Sequence, residues 1–214
     1  MKKKAALTIN IIIVLLTIFA SILMFTGIKI THGVEPILET TKLGMLKFFT
    51  VQSNMFMGII ALLFAILELK NKEISKNMYR LKLMSTTAVS LTFIMVFIYL
   101  GPIAPNGIIS LLQNSNIFFH LVIPVLSIIN LILFEKTDKL NLKDTLYGLV
   151  PTLLYSSMYT TNILIHMENG KVSTKYDFYW LAQHGVQASL MSILMIPLLT
   201  YIISFTLFKL NKRR

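Results

Sequence analysis

The chain lacks cysteine and carries little charge. Without cysteine it has no disulfide framework, no thiolate metal site and no cysteine nucleophile. Only 14% of its 214 residues are charged, whereas an ordinary soluble domain carries about 25%. With 55% hydrophobic residues, the chain has more apolar surface than one compact core buries. This composition excludes a soluble globular enzyme and an intrinsically disordered protein.

The chain does contain a series of charge-free apolar runs. A membrane-spanning helix needs about 20 mostly apolar residues, and prolines and glycines at 101–107 divide the longest run in two. Each span must be helical, because backbone groups that face lipid have to be hydrogen-bonded internally. The sequence therefore predicts an all-α, single-domain bundle of six transmembrane helices, at about 5–28, 48–69, 83–101, 117–134, 145–166 and 182–208.

Basic residues are distributed unequally between the two sides of this predicted bundle. Fifteen of the twenty Lys and Arg residues lie in the two termini and the second and fourth loops, and five lie in the other loops. The positive-inside rule then predicts a multi-pass plasma-membrane protein with both termini in the cytoplasm. Topology and attraction to anionic lipid account for the net charge of +11, so no nucleic-acid partner is expected. The first run is longer than the core of a signal peptide, so we expect it to be retained.

Polar side chains at membrane depth are the candidate functional residues, because they are costly there and usually face the bundle interior. Thr50, Ser53 and Asn54 share one helical face at the start of the second span. In the predicted topology the other polar candidates also lie toward the outer side. We expect six residues to converge in one pocket open to the outer leaflet: Thr50, Asn54, His120, Asn162, Asp177 and His184.

A threonine and a histidine at the same depth suggest nucleophilic chemistry. A threonine hydroxyl is a weak nucleophile until a base such as neutral His takes its proton. Gln52 or Asn54 would donate hydrogen bonds to the developing oxyanion. Two plainer interpretations stay open: the Thr50 hydroxyl bonds to its own helix, or the polar side chains hold helices together. No recognised metal-ligand spacing is present, so no metal or other cofactor is expected.

Two segments carry a resemblance to a known family: Phe48–Asn54, which reads Phe-Phe-Thr-Val-Gln-Ser-Asn, and His120–Pro124, which is followed by Asn130. They resemble the androgen-induced and androgen-dependent membrane protein family, in its bacterial six-helix branch. The resemblance implies an intramembrane hydrolase of fatty acid esters of hydroxy fatty acids. Thr50 and His120 stand where that family has its reactive threonine and histidine.

The leading hypothesis from the sequence is therefore a lipid-ester hydrolase or acyl-transfer enzyme near the outer face, with Thr50 as nucleophile and His120 as general base. Its partners are the bilayer and a membrane lipid or acyl ester substrate. The alternative is a non-catalytic membrane module that binds or transports a lipid or small solute in the same pocket. The sequence makes no prediction of oligomeric state. The supporting residues are Gln52, Ser53, Asn54, Asn162, Asp177 and His184.

Overall fold

The computed structural model describes residues 2–31, 33–182 and 186–212, without the side chains of 186–193. This part of the chain is all-helical and has no strand, apart from one antiparallel bridge between Glu168 and Lys171. Short helical turns cover Lys42–Lys47, Gly107–Ser110 and Leu142–Leu149. The six main helices are α1 (Lys2–Thr26), α2 (Phe49–Leu69), α3 (Lys76–Ile103), α4 (Ser115–Phe134), α5 (Val150–Ile165) and α6 (Val186–Lys212).

Five helices in the described part of the chain are long and apolar enough to cross a membrane: α1 to α4 and the Leu194–Lys212 part of α6. α5 has only 16 residues, but it continues directly from the 3₁₀ helix Leu142–Leu149. Several leucine and isoleucine residues on the perimeter of the bundle are more than half exposed, among them Leu15, Ile22 and Leu154. Such exposed apolar faces suit contact with lipid. The prediction of an all-α membrane protein is confirmed at this level.

The start of α3 differs from the prediction. The charge-free run begins at residue 83, but the helix begins at Lys76, after Ser75, whose hydroxyl caps the first turn. Lys82 is fully buried within this helix. It forms an ion pair of 3.0 Å with Glu135, which is also buried. The charge of Lys82 therefore does not coincide with the start of the helix, because Glu135 neutralises it.

α3 and α4 each contain a π-helical turn shortly before a proline. Val96–Leu100 precedes Pro102, and Phe118–Val122 precedes Pro124. Proline has no N–H to donate to the preceding turn, and its ring crowds the carbonyl there, so a widened turn relieves both problems. His120 lies in the second of these turns.

α3 is the central helix of the bundle and packs against α2, α4, α5 and α6. One buried apolar layer joins α1, α2 and α4, around Ile13, Met57 and Ile123. A second layer joins α3, α4 and α6, around Leu83 and Leu131. A cavity remains where the start of α2 meets α3, α5 and α6.

Candidate functional site

A cavity of about 430 Å³ lies between the first turn of α2 and the facing parts of α3, α5 and α6. Most of its wall is apolar and includes Leu91, Met95 and Ile163. Small-molecule sites usually have volumes of roughly 300–1,000 Å³ and a mostly apolar lining with a few polar groups. The cavity thus has the size and lining of a site for an apolar ligand.

Tyrosines form one wall of this cavity. Tyr155 and Tyr159 lie four residues apart on α5 and therefore share a helical face. Their ring centroids are 6.0 Å apart, and the ring of Tyr179, from the segment between α5 and α6, lies 5.6 Å from that of Tyr159. Each ring combines apolar contact area with a hydroxyl that needs a partner when buried.

Hydrogen bonds connect these tyrosines to Asp177 and to α2. The Tyr159 hydroxyl donates to Asp177 Oδ1 at 2.6 Å and accepts from the Tyr179 amide at 3.0 Å. The Tyr179 hydroxyl accepts from the amide of Phe49 at 2.9 Å, at the start of α2. The Asp177 carboxylate is fully buried and also accepts from two backbone amides of its own segment. Asp177 thereby holds the 177–182 segment against the cavity.

Thr50 lies on the cavity wall beside these tyrosines. Only 8% of the residue is exposed, and it lines the cavity. Its hydroxyl and its amide lie next to the phenolic oxygen of Tyr179. The Thr50 carbonyl accepts from Ser53 Oγ at 3.0 Å and from Asn54 Nδ2 at 2.8 Å. The Thr50 side chain therefore lies on the cavity wall beside Tyr179, while Ser53 and Asn54 bond back to their own helix.

His120 is buried in α4. Its Nδ1 lies 2.6 Å from the Leu111 carbonyl. Because a carbonyl only accepts, Nδ1 carries the proton, and Nε2 of the neutral ring is left as an acceptor. The ring does not line the cavity, and within the described residues no hydrogen bond joins it to Thr50. Leu111 is the group that orients His120.

The remaining predicted residues have other partners. Asn54 Nδ2 also donates to the Phe119 carbonyl at 3.0 Å. It therefore makes one hydrogen bond within α2 and one to α4. Gln52 Nε2 donates to the Leu46 carbonyl at 2.7 Å. Asn162 donates to a carbonyl of the 173–177 turn at 3.0 Å. His184 lies outside the described residues. None of Asn54, Gln52 and Asn162 lines the cavity.

The structure brings Thr50 and Asp177 into one polar network, and the tyrosines connect them. The contact between Tyr179 and Thr50 was not predicted from the sequence. The spacing of Tyr155 and Tyr159 was the available signal, since residues four apart on an apolar helix face the same neighbour. In the described part of the chain, no group of three or more His, Asp or Glu residues is placed to hold a metal ion.

No family model, no curated protein and no solved structure matches this chain. The resemblance to the androgen-induced family therefore rests on Phe48–Asn54 and His120–Pro124 alone.

Proposed function

We propose that this protein is a six-span membrane protein with both termini in the cytoplasm, and that its cavity binds one extended apolar chain of a membrane lipid. The sixth span would be residues 145–166, which lie in the continuous helical run made by Leu142–Leu149 and α5. The fifteen-to-five distribution of basic residues supports the orientation. Under this topology Thr50 and Tyr179 lie toward the outer leaflet.

The observation that carries the lipid-binding proposal is the cavity of about 430 Å³, with its apolar wall and its polar group at Thr50 and Tyr179. A lipid chain buries its methylenes against such a wall. Each buried methylene contributes about 0.8 kcal/mol, and the hydroxyls offer donors to an ester or carboxyl at the end of the chain.

Adjacent serines on α5 provide a matched test. Ser156 lines the cavity, whereas Ser157 is exposed on the outer surface. The protein in detergent is incubated with a diazirine fatty acid and irradiated, and the labelled peptides are quantified. We expect Ser156→Trp to lower labelling of cavity peptides several-fold, because the indole fills the space. Ser157→Trp should label like the wild type. Equal labelling in the two variants contradicts lipid binding in this cavity.

Ester hydrolysis is the second candidate, and the position of Thr50 favours it. Thr50 lines the cavity, and the Leu111 carbonyl holds His120 in the tautomer that a base needs. Thr50 Oγ would attack the ester carbonyl while Nε2 of His120 takes the proton. Collapse would release the alcohol, which takes that proton, and water would then hydrolyse the acyl-threonine. The two side chains would have to come within about 2.6–3.2 Å in the substrate complex.

A fluorophosphonate probe tests the second candidate. We expect it to label wild type and Thr160→Ala, and to leave Thr50→Ala and His120→Gln unlabelled. Thr160 is the matched control, because it is a threonine on the same cavity wall. If Thr50→Ala is labelled like the wild type, Thr50 is not the nucleophile. If well-folded wild type that binds lipid is not labelled, only the binding proposal stands.

A further inference from the structure

A second polar cluster lies at the opposite end of the bundle from Tyr179. One residue comes from each of α1 to α4, and the fifth directly follows α4. All five are buried: Asn10, Glu68, Lys82, Asn130 and Glu135. We call it the Lys82 cluster. Lys82 Nζ donates to Asn10 Oδ1 at 2.7 Å and to Glu135 Oε1 at 3.1 Å. Asn10 Nδ2 donates to Glu135 Oε1 at 2.7 Å, and Asn130 Nδ2 donates to the same oxygen at 3.1 Å.

The charges in the Lys82 cluster are unequal. Lys82 supplies one positive charge, and its ammonium is committed to Asn10 and Glu135. Glu68 is the second carboxyl group in the cluster. It contacts the Asn10 side chain and interacts repulsively with Glu135. One ammonium therefore faces two carboxyl groups, and the ammonium bonds to only one of them.

Two oxygens of this cluster have neither a hydrogen bond nor an ion pair within the described part of the chain: Glu68 Oε2 and Asn130 Oδ1, both buried. Glu135 Oε2 is also buried without a hydrogen bond, but it lies 3.0 Å from Lys82 Nζ. Burying a carboxylate without a compensating partner is expensive, and the cost is greater at membrane depth. Among its own side chains, the cluster thus has a surplus of acceptors and one more carboxyl group than ammonium groups. Lys3 attracts Glu68 from the rim, outside the cluster.

The cluster is accessible from one side. A cavity of about 300 Å³ reaches Glu68 and Glu135. Two of the lysines that line this cavity have partners outside the Lys82 cluster. Lys3 donates to Asn71, and Lys139 forms an ion pair with Glu73. The titratable groups that face Glu68 from α1, α3, α4 and the cavity rim are Lys3, Lys72, Glu73, Tyr79, Lys82, Glu135, Lys136 and Lys139.

We propose that Glu68 binds one exchangeable small cation, a proton or Na⁺, that enters through this cavity. A single positive charge balances the second carboxyl group and gives Glu68 Oε2 the partner it lacks. The basic rim disfavours ions of higher charge, since each lysine repels them. In the proposed topology the cavity opens to the cytoplasm, and the site is separate from the lipid cavity.

Thermal unfolding of the full-length protein in detergent, with Glu68→Gln and Glu73→Gln beside it, tests this proposal. Glutamine keeps the shape of Glu68 but needs no cation. Glu73 is the matched control, because it lies on the same cavity but is highly exposed and paired with Lys139. Na⁺ is exchanged for choline at constant ionic strength and fixed pH, and pH is then varied without Na⁺.

If the cation is Na⁺, the Tm of wild type and Glu73→Gln rises by roughly 3–5 °C for each tenfold increase above the dissociation constant. If it is a proton, their Tm falls as pH rises, because deprotonation leaves the carboxylate uncompensated. Glu68→Gln loses the response in either case. If wild type and Glu68→Gln respond identically in both titrations, the proposal is overturned.

A measurement on the wild type keeps the proposal testable if Glu68→Gln does not fold. Infrared spectroscopy detects a buried protonated carboxyl group, and calorimetric titration detects Na⁺ binding. The proposal expects one of these signals. If neither is observed, the proposal is overturned, and the lipid-binding proposal is unaffected because it rests on different residues.

Discussion

Tyr179 connects Thr50 to the hydrogen-bond network of Asp177 at the wall of the larger cavity. It accepts from the Phe49 amide and lies beside the Thr50 hydroxyl. Burial raises the pKa of Tyr179 to about 12, so the phenol is neutral at physiological pH. A neutral phenol donates and accepts hydrogen bonds but does not act as a base for Thr50. Among the groups that touch Thr50, Tyr179 is therefore a positioning group.

Removing the Tyr179 hydroxyl should destabilise the protein. Tyr179→Phe leaves the first amide of α2 without its acceptor, so we expect the free energy of unfolding to fall by about 1–2 kcal/mol. Thermal unfolding followed by circular dichroism measures the loss. The control is Tyr147→Phe, because Tyr147 is an exposed tyrosine. Equal stability of the two variants would show that the Phe49–Tyr179 bond does not hold α2 in place.

At the scale of helices, Asp144 joins two elements. Its carboxylate accepts from Arg80 Nε at 2.7 Å and lies 3.0 Å from Lys76 Nζ, both on the first turns of α3. It also accepts from the Asn141 amide at 2.7 Å, which caps the 3₁₀ helix before α5. Burial opposes ionisation of Asp144, but these hydrogen bonds outweigh it and lower the pKa of the carboxyl.

The lowered pKa of Asp144 predicts a pH dependence. A carboxyl whose folded pKa is depressed contributes stability above its unfolded pKa of about 3.9, and this stability is lost as pH falls through the folded pKa. At pH 7 we expect Asp144→Asn to lower the free energy of unfolding by about 1–2 kcal/mol, since Lys76 and Arg80 are partly exposed.

Chemical denaturation at several pH values measures this difference. It should shrink steadily as the pH falls below about 4 toward the lower pKa of the folded state, because the unfolded chain takes up the proton before the folded protein does. The exposed Asp138, in the preceding loop, supplies the control variant Asp138→Asn. A gap between wild type and Asp144→Asn that does not change with pH would contradict the role of the charged carboxylate.

At the scale of the whole molecule, the proposed topology can be tested with introduced cysteines. The chain has no cysteine of its own, so each introduced one is the single thiol. Single cysteines at the exposed positions Lys72, Lys143 and Lys171 each give one reactive thiol. We expect a membrane-impermeant maleimide to label Lys171→Cys in intact cells, and to label Lys72→Cys and Lys143→Cys only after permeabilisation.

The pair at 143 and 171 tests the sixth span directly, because the predicted span at 145–166 lies between these positions. Labelling of both positions from the same side would show that this run does not cross the membrane. Labelling of Lys72→Cys and Lys143→Cys, but not of Lys171→Cys, in intact cells would show that the orientation is the reverse of the proposed one. Immunoblots of each variant control for expression.

Much of the fold was predictable from the sequence, and less of the site was. The predicted span at 48–69 and α2 at Phe49–Leu69 agree almost exactly in position. The predicted start at 83 was too late, because Lys82 is neutralised by Glu135 from a helix far along the chain. The three polar residues predicted to share one face at the start of α2 are buried: Thr50, Ser53 and Asn54. Their partners were not predictable, since these come from α4 and from the segment after α5.

The sequence by itself determined that this is an all-helical membrane protein, because long apolar runs in lipid can satisfy their backbone hydrogen bonds only as helices. It also identified Thr50 and His120 as candidates. Only the tertiary structure decided that Thr50 lies beside Tyr179 on a cavity wall, while His120 bonds to the Leu111 carbonyl. The physical reason is that helix rotation and packing set which side chains meet, and these depend on contacts between residues distant in the chain.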